Sequence, residues 1–176
     1  SAEAAVTSPS SIIRAKVSAG ERVLLYVNWV RLDSRTRMLR LLTEAGIRAE
    51  IMEDTVPPRK REEWVETHLR QGMQVMITNP GLVETGLDLN DFTTLIFYDI
   101  AFKLFTFRQA SRRSWRINQT APRVEVYILY YRDTMQERAV RLMASKLAVA
   151  GVIEGGVLTD EGLAAMSECE DMTSAL

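Results

Sequence analysis

Three arginines fall within five positions of "QASRRSWRINQ" (residues 109–119), with Trp115 among them and Gln109 and Gln119 at the ends. Arginine keeps its charge in any environment and presents a planar fork of donors that fits two phosphate oxygens at once. Arg113 and Arg116, three residues apart at the end of a predicted helix, project to nearly one side. Such a pair suits two roles. It can converge on a polyphosphate, where arginines supplied across an interface neutralise the charge of a phosphoryl-transfer transition state. It can equally be a solvated basic face that pairs with acids elsewhere in the chain.

The other chemistry-bearing residues narrow the choice. "GLVETG" (81–86) has the G-x-x-x-x-G spacing of a phosphate-cradling loop, but Leu87 and Asp88 stand where Lys and Ser/Thr are required. No acid pair follows a strand to hold a magnesium ion. By these residues alone the chain should not hydrolyse a nucleoside triphosphate. The single histidine, His68, lies in "EEWVETHL", where Trp64, Val65 and Leu69 mark a packed helix face, so it reads as a helix-surface residue and not as a catalytic base. The single cysteine, Cys169, is about a hundred residues away, which excludes an internal disulfide and leaves no basis for a structural zinc site.

Five apolar runs must position these residues. "RVLLYVNW", "IRAEIM", "MQVMITN", "TTLIFYD" and "RVEVYILYY" read as strands, the first of them buried on both faces. Between them lie helical patterns. "DSRTRMLRLLTEAG" places Met38, Leu41, Leu42 and Ala45 on one face, with Asp33 or Ser34 as the cap and Gly46 as the stop. "PPRKREEWVETHLRQG" has Pro in its first turn and Gly72 as its stop. "PGLVETGLDLNDF" reads as irregular, and "LFTFRQASRRSW" as a third helix. The last helix opens at Thr134 with a Thr-x-x-Glu capping box closed by Glu137, and turns Ala139, Leu142, Met143 and Leu147 inward. Strands separated by helices of this length imply a mainly parallel, doubly wound α/β sheet in three layers. Ligands in such sheets bind at the carboxyl ends of the strands, in the loops that lead to helices.

The chain has 176 residues, a net charge of −1 and nearly half apolar residues, enough for one domain with a substantial core. The charge is unevenly placed. From Leu147 onward there are six acids and no Lys or Arg, so residues 1–146 carry 22 basic against 17 acidic side chains, a net of +5. A mildly basic body with an acidic tail is compatible with a polyanionic partner. The expected organisation is a linker or short helix over 1–19, the α/β domain over 20–150, and a partly ordered acidic tail over 151–176 with a short helix near Asp160–Met166. No stretch is apolar and long enough to cross a membrane and no signal peptide is evident, so a cytoplasmic setting, of bacterial or phage type, is expected.

Taken in order, "VLLYVNW", "ITNPGLVETGLDLNDFTTLIFYD" and "QASRRSWRINQTAPRVEVYILYYRDTMQE" resemble the C-terminal RecA-like domain of superfamily-two helicases and translocases, over about residues 20–150. The first is similar to the motif IV strand, "TGLDL" before "TTLIFYD" to motif V, and "QASRRSWR" to motif VI. The continuation is most similar to the SWI/SNF-type ATPases. The resemblance implies a second motor lobe without a P-loop of its own, acting on ATP and magnesium held mainly by an N-terminal RecA-like lobe. Arg113 and Arg116 would be arginine fingers, with Gln109 at the same cleft. Gly86 and Asp88 would approach the nucleotide. Thr78, Asn79, Asn28 and Trp29 would face the nucleic-acid backbone, DNA before RNA, although loop polarity and packing account equally for Asn28, Trp29 and Asn79. The sequence departs from the pattern at Arg112, Trp115, Asn118 and Asn79-Pro80. A stand-alone nucleic-acid-binding module, or a protein-interaction domain with its basic helix masked by the acidic tail, is the alternative.

Overall fold

A computed structural model of the chain describes residues 8–27, 32–83, 87–98, 124–131, 133–135, 137, 138 and 140–142, together with the backbone of 153, 154, 157 and 158. Five parallel strands form one sheet in the order β2-β3-β1-β4-β5. They are β1 (Val23–Val27), β2 (Ala49–Ile51), β3 (Val75–Thr78), β4 (Thr94–Tyr98) and β5 (Glu125–Leu129). Each lies inside one of the five runs read as strands. The central strand β1 is in register with β3 from Val23↔Val75 and with β4 from Val23↔Thr94. Because all strands run the same way, the loops that follow them share one edge of the sheet.

Side chains alternate across a strand, so β1 serves two cores. Val23, Leu25 and Val27 join Ile13, Met38 and Leu42 on one face. Leu24 and Tyr26 join Val65, Phe92 and Phe97 on the other, where the Tyr26 and Phe97 rings stack at 4.8 Å. The first face is covered by helices α1 (Pro9–Ser18) and α2 (Leu32–Glu44), the second by α3 (Arg61–Arg70). The result is the expected three-layer α/β sandwich.

The turns follow from local chemistry. Helices α1, α2 and α3 end at glycines with φ of +82°, +75° and +96° (Gly20, Gly46, Gly72). At each, the next two amides turn back onto the last turn: Gly72 N–H donates to the Leu69 carbonyl and Met73 N–H to that of His68. This 6→1 and 5→2 pair closes the helix and needs the left-handed backbone that glycine adopts without strain.

Five details differ from the sequence reading. Pro58–Lys60 form a 3₁₀ turn, so the α-helix starts only at Arg61. Pro80–Val83 form a short helix, α4, where an irregular loop was expected. On α2, Met38 and Leu42 are buried but Leu41 is exposed, because it lies at the margin of the stripe that they define. The Thr134 capping box is also displaced by one residue. Glu137 accepts from the Asp133 N–H at 2.7 Å, and the Thr134 hydroxyl donates to the Tyr131 carbonyl at 2.6 Å. Asp133 sits at φ +59°, a conformation that a short polar side chain tolerates. Leu142, expected to point inward, is exposed with Met135, one heptad earlier on the same side. Ala139, Met143 and Leu147 lie outside the described residues.

Helix α1 is packed onto the sheet. Ile13 is fully buried, and Lys16 reaches across to the first residue of β5, donating to Glu125 Oε2 at 2.7 Å. The Tyr127 hydroxyl donates to the same oxygen at 2.7 Å. Glu21, just before β1, accepts from Thr94 at 2.7 Å and Thr93 at 3.2 Å. These bonds close the amino edge of the sheet. Burial opposes the charge on Lys16, but the hydrogen bond and charge of Glu125 prevail and its pKa is raised. Burial and the bond to Glu125 both raise that of Tyr127. In the tail, Ile153–Glu154 (β6) and Val157–Leu158 (β7) pair antiparallel.

Candidate functional site

The carboxyl edge of the sheet gathers the loops after β1, β2, β3, β4 and β5. The loop after β3 is the best described and holds three of the residues singled out above. Thr78 ends β3, fully buried, with its hydroxyl donating to the Met52 carbonyl at 3.5 Å. Its side chain therefore braces β3 against the end of β2 and does not reach the surface. Any part it plays in a grip passes through the loop backbone.

Asn79 follows on the surface side. Its Oδ1 accepts from the Gly81 N–H at 2.8 Å, and its carbonyl accepts from the Leu82 N–H at 3.0 Å, which starts α4 with Pro80 as its first residue. Asparagine before proline is a favourable start, since proline lacks the amide that would otherwise go unbonded. With Oδ1 so used, the side chain offers its NH₂ as donor.

Asp88 projects outward for a simple reason. Leu87 and Leu89 on either side are 4 % and 0 % exposed, and an extended chain that buries both must turn the residue between them to solvent. The Asp88 carboxylate accepts from the Asn90 N–H at 3.2 Å, which fixes its direction. Phe92 then returns to the core and its N–H donates to the Leu89 carbonyl at 3.0 Å. Farther along the edge, the hydroxyls of Tyr98 and Tyr131 meet at 3.2 Å at the ends of β4 and β5.

Asn28, Trp29, Gly86, Gln109, Arg113 and Arg116 lie outside the described residues. Among the described residues no three His, Cys, Asp or Glu side chains gather as metal ligands would, and no helix is long and apolar enough to cross a membrane. His68 is engaged within α3: its ring stacks on Trp64 at 3.8 Å and its Nδ1 bonds the Trp64 carbonyl at 2.7 Å. An open groove of about 520 Å³ lies on the far side of the sheet, by Gly46, Arg48 and Gln71, away from the loops described above.

The sequence reading missed Arg61. It is 6 % exposed, and its guanidinium donates to the Val56 carbonyl at 3.1 Å and to the Leu82 carbonyl at 2.8 Å. A signal was present: Arg61, Val65 and Leu69 recur at i, i+4 and i+8, which puts the arginine on the inward stripe of α3. Nearby, Arg35 at the start of α2 approaches Glu53 at 3.9 Å.

Comparison with known proteins bears on the family and the fold. Residues 7–118 match the family model described as helicase conserved C-terminal domain. The chain is 32% identical to the chromodomain-helicase-DNA-binding protein 1-like of Mus musculus over 147 residues, covering 81% of this chain and 16% of that protein. It is 26% identical to the ATP-dependent helicase fft1 of Schizosaccharomyces pombe over 147 residues, covering 82% and 15%. The chain thus spans about a sixth of the length of these relatives. In fold it is similar to the C-terminal part of the Fun30 ATPase domain, with a TM-score of 0.65 at 18% identity over 76% of this chain and 43% of that one.

Proposed function

The chain belongs to the helicase conserved C-terminal domain family, among the SWI/SNF-type ATPases, and from that premise we propose that it serves as the second motor lobe of a DNA-dependent translocase. The observation that carries the reading is the loop after β3. It starts on Asn79, whose side-chain amide is a donor at the carboxyl edge where parallel sheets bind ligands, and continues to Asp88, an exposed and oriented carboxylate.

In this reading the nucleotide belongs to two lobes. ATP and its magnesium are held mainly by an N-terminal RecA-like lobe, and this chain closes the cleft. The Asp88 carboxylate, with Gly86 and Gln109, faces the nucleotide, as an exposed acceptor suits a ribose hydroxyl. Arg113 and Arg116 reach the phosphates as fingers, a contribution worth about 10³–10⁵ in rate where such residues act. By itself the chain is inert toward ATP, since it lacks the lysine and hydroxyl of a phosphate-binding loop. The amide donor of Asn79, with Asn28 and Trp29, grips the nucleic-acid backbone without reading bases. Cycles of closing and opening step that grip along the strand.

DNA is favoured over RNA because the mouse relative is named a DNA-binding protein. Other relatives are named for chromatin remodelling, among them the INO80 ATPase of Cryptococcus neoformans. These names favour a nuclear, chromatin-associated setting over the bacterial or phage-type cytosol expected from the sequence.

The test is ATP turnover by a protein that joins this chain to its N-terminal lobe, with and without DNA, beside the Arg116→Ala variant and the isolated 176-residue chain. DNA-stimulated turnover that falls at least about a hundredfold in the variant, with ATP affinity kept, is the expected result. Unchanged turnover in Arg116→Ala, or turnover by the isolated chain, overturns the assignment.

A further inference from the structure

Arg61 is the only charged side chain buried in the core among the described residues. A guanidinium is costly to bury unless its donors are used, and here they are used on two backbone carbonyls from separate loops. One is Val56, in the turn after β2. The other is Leu82, within α4. A helix of four residues has little hydrogen-bond ladder of its own and depends on contacts with other elements. Arg61, from a different element, supplies a charged donor to α4.

We propose that Arg61 is a positioning residue that fixes the loop after β3 against the loop after β2, so that Asn79 and Asp88 are presented at a set spacing. The clause that concerns nucleic acid rests on the motor-lobe reading given above. Asn79 precedes α4 and Asp88 follows it, so holding Leu82 between them removes the simplest way for the two to drift apart. A second link extends the tie. Arg35, in the first turns of α2, approaches Glu53 at 3.9 Å, and Glu53 belongs to the same turn as Val56. The start of α2 and the loops after β2 and β3 are thereby joined in series by two arginines. Lysine cannot replace Arg61: a single ammonium on a flexible stem lacks the rigid fork that meets two carbonyls in different directions.

Amide hydrogen exchange on the 176-residue chain tests the tie, with wild type, Arg61→Lys and Arg61→Met compared. Loss of a charged hydrogen bond at one end of the strut should speed exchange about 10–100-fold in segments 53–57, 79–83 and 87–92, while β1, β3 and β4 keep their rates. Both variants should show it, and Arg61→Lys keeps the charge should Arg61→Met fail to fold. Affinity for a short duplex DNA, measured on the two-lobe protein, should weaken about tenfold in Arg61→Lys. The inference is overturned by exchange that rises evenly over the central strands, by wild-type loop rates in Arg61→Lys, or by loosened loops with unchanged DNA affinity. A wild-type protein without DNA-stimulated turnover, in which Arg61→Lys still loosens these loops, would sink the motor reading while the strut itself stands.

Discussion

Helix α1 is held by very little, which makes it a sensitive test of how the domain is built. Its one fully buried residue is Ile13, which packs with Val23, Leu25 and Ile96 from β1 and β4. Ile13→Ala removes three carbons, worth about 2.4 kcal/mol at ~0.8 kcal/mol per buried CH₂, and the cavity left behind brings large-to-small changes of this kind to about 2–5 kcal/mol. Alanine's better helix propensity returns about half a kcal/mol. The net expectation is about 3 kcal/mol, read as the shift of a urea unfolding midpoint followed by circular dichroism. The slope of the transition carries the second half of the test. If α1 belongs to the cooperative unit, the variant unfolds at lower urea with the same slope, because the same surface is exposed. If α1 detaches first, the loss is capped at its docking energy and the slope falls. A loss under 1 kcal/mol with an unchanged slope would refute the claim that Ile13 anchors the helix to the sheet.

Two further outcomes follow from the amino edge and the helix stops. Lys16 and Tyr127 both have raised pKa values, so the folded state binds protons more tightly than the unfolded one. The stability they contribute is complete below their ordinary values of 10.5 and 10.0 and is lost as pH rises through the raised ones. The melting temperature should therefore fall from about pH 10 upward, and less steeply in Tyr127→Phe; parallel curves for the two proteins would contradict the linkage. Gly72→Ala meets two penalties. Its φ of +96° disfavours any side chain, and a Cβ there would stand 2.6 Å from the Arg48 guanidinium, which is donating to the Gln71 carbonyl. A loss of about 1–2 kcal/mol is expected in urea unfolding, mostly retained when Arg48 is also changed to Ala. Full recovery in the double variant would mean that the contact, and not the backbone, sets the cost.

What could be read from the residues alone was the framework. Five apolar runs and the glycines at 46 and 72 located every strand of the main sheet and two helix ends, because periodicity and left-handed stops are local properties. Two of the misreadings share a source, partners distant in sequence. Pro80-Gly81 signals a turn by composition, yet Asn79 and the distant Arg61 make a helical turn of it. Residues 9–18 have almost no mean hydropathy, so α1 gave a weak signal; its place is set by one buried isoleucine and by a carboxylate 109 residues away. Glu154-Gly155-Gly156-Val157 carries a hairpin signal that the reading of a partly ordered acidic tail left unused. At the site, the alternation Leu87-Asp88-Leu89 sufficed to turn Asp88 outward, whereas nothing local shows that Thr78 points into the sheet.

The position of β1 in the sheet has a consequence for how the chain reaches this state during synthesis. Of the five strands of this sheet, the first to leave the ribosome is the middle one, buried on both faces along all five residues. Its partners begin only at Val75 and Thr94. Until those segments emerge, "VLLYV" has no ladder to join. Parallel pairings of such long range close slowly, and an apolar strand that waits for them is open to the wrong neighbour. The order of strands that makes a rigid platform for the loops thus also makes the nascent chain dependent on speed of completion, or on a chaperone that covers residues 23–27 in the interval.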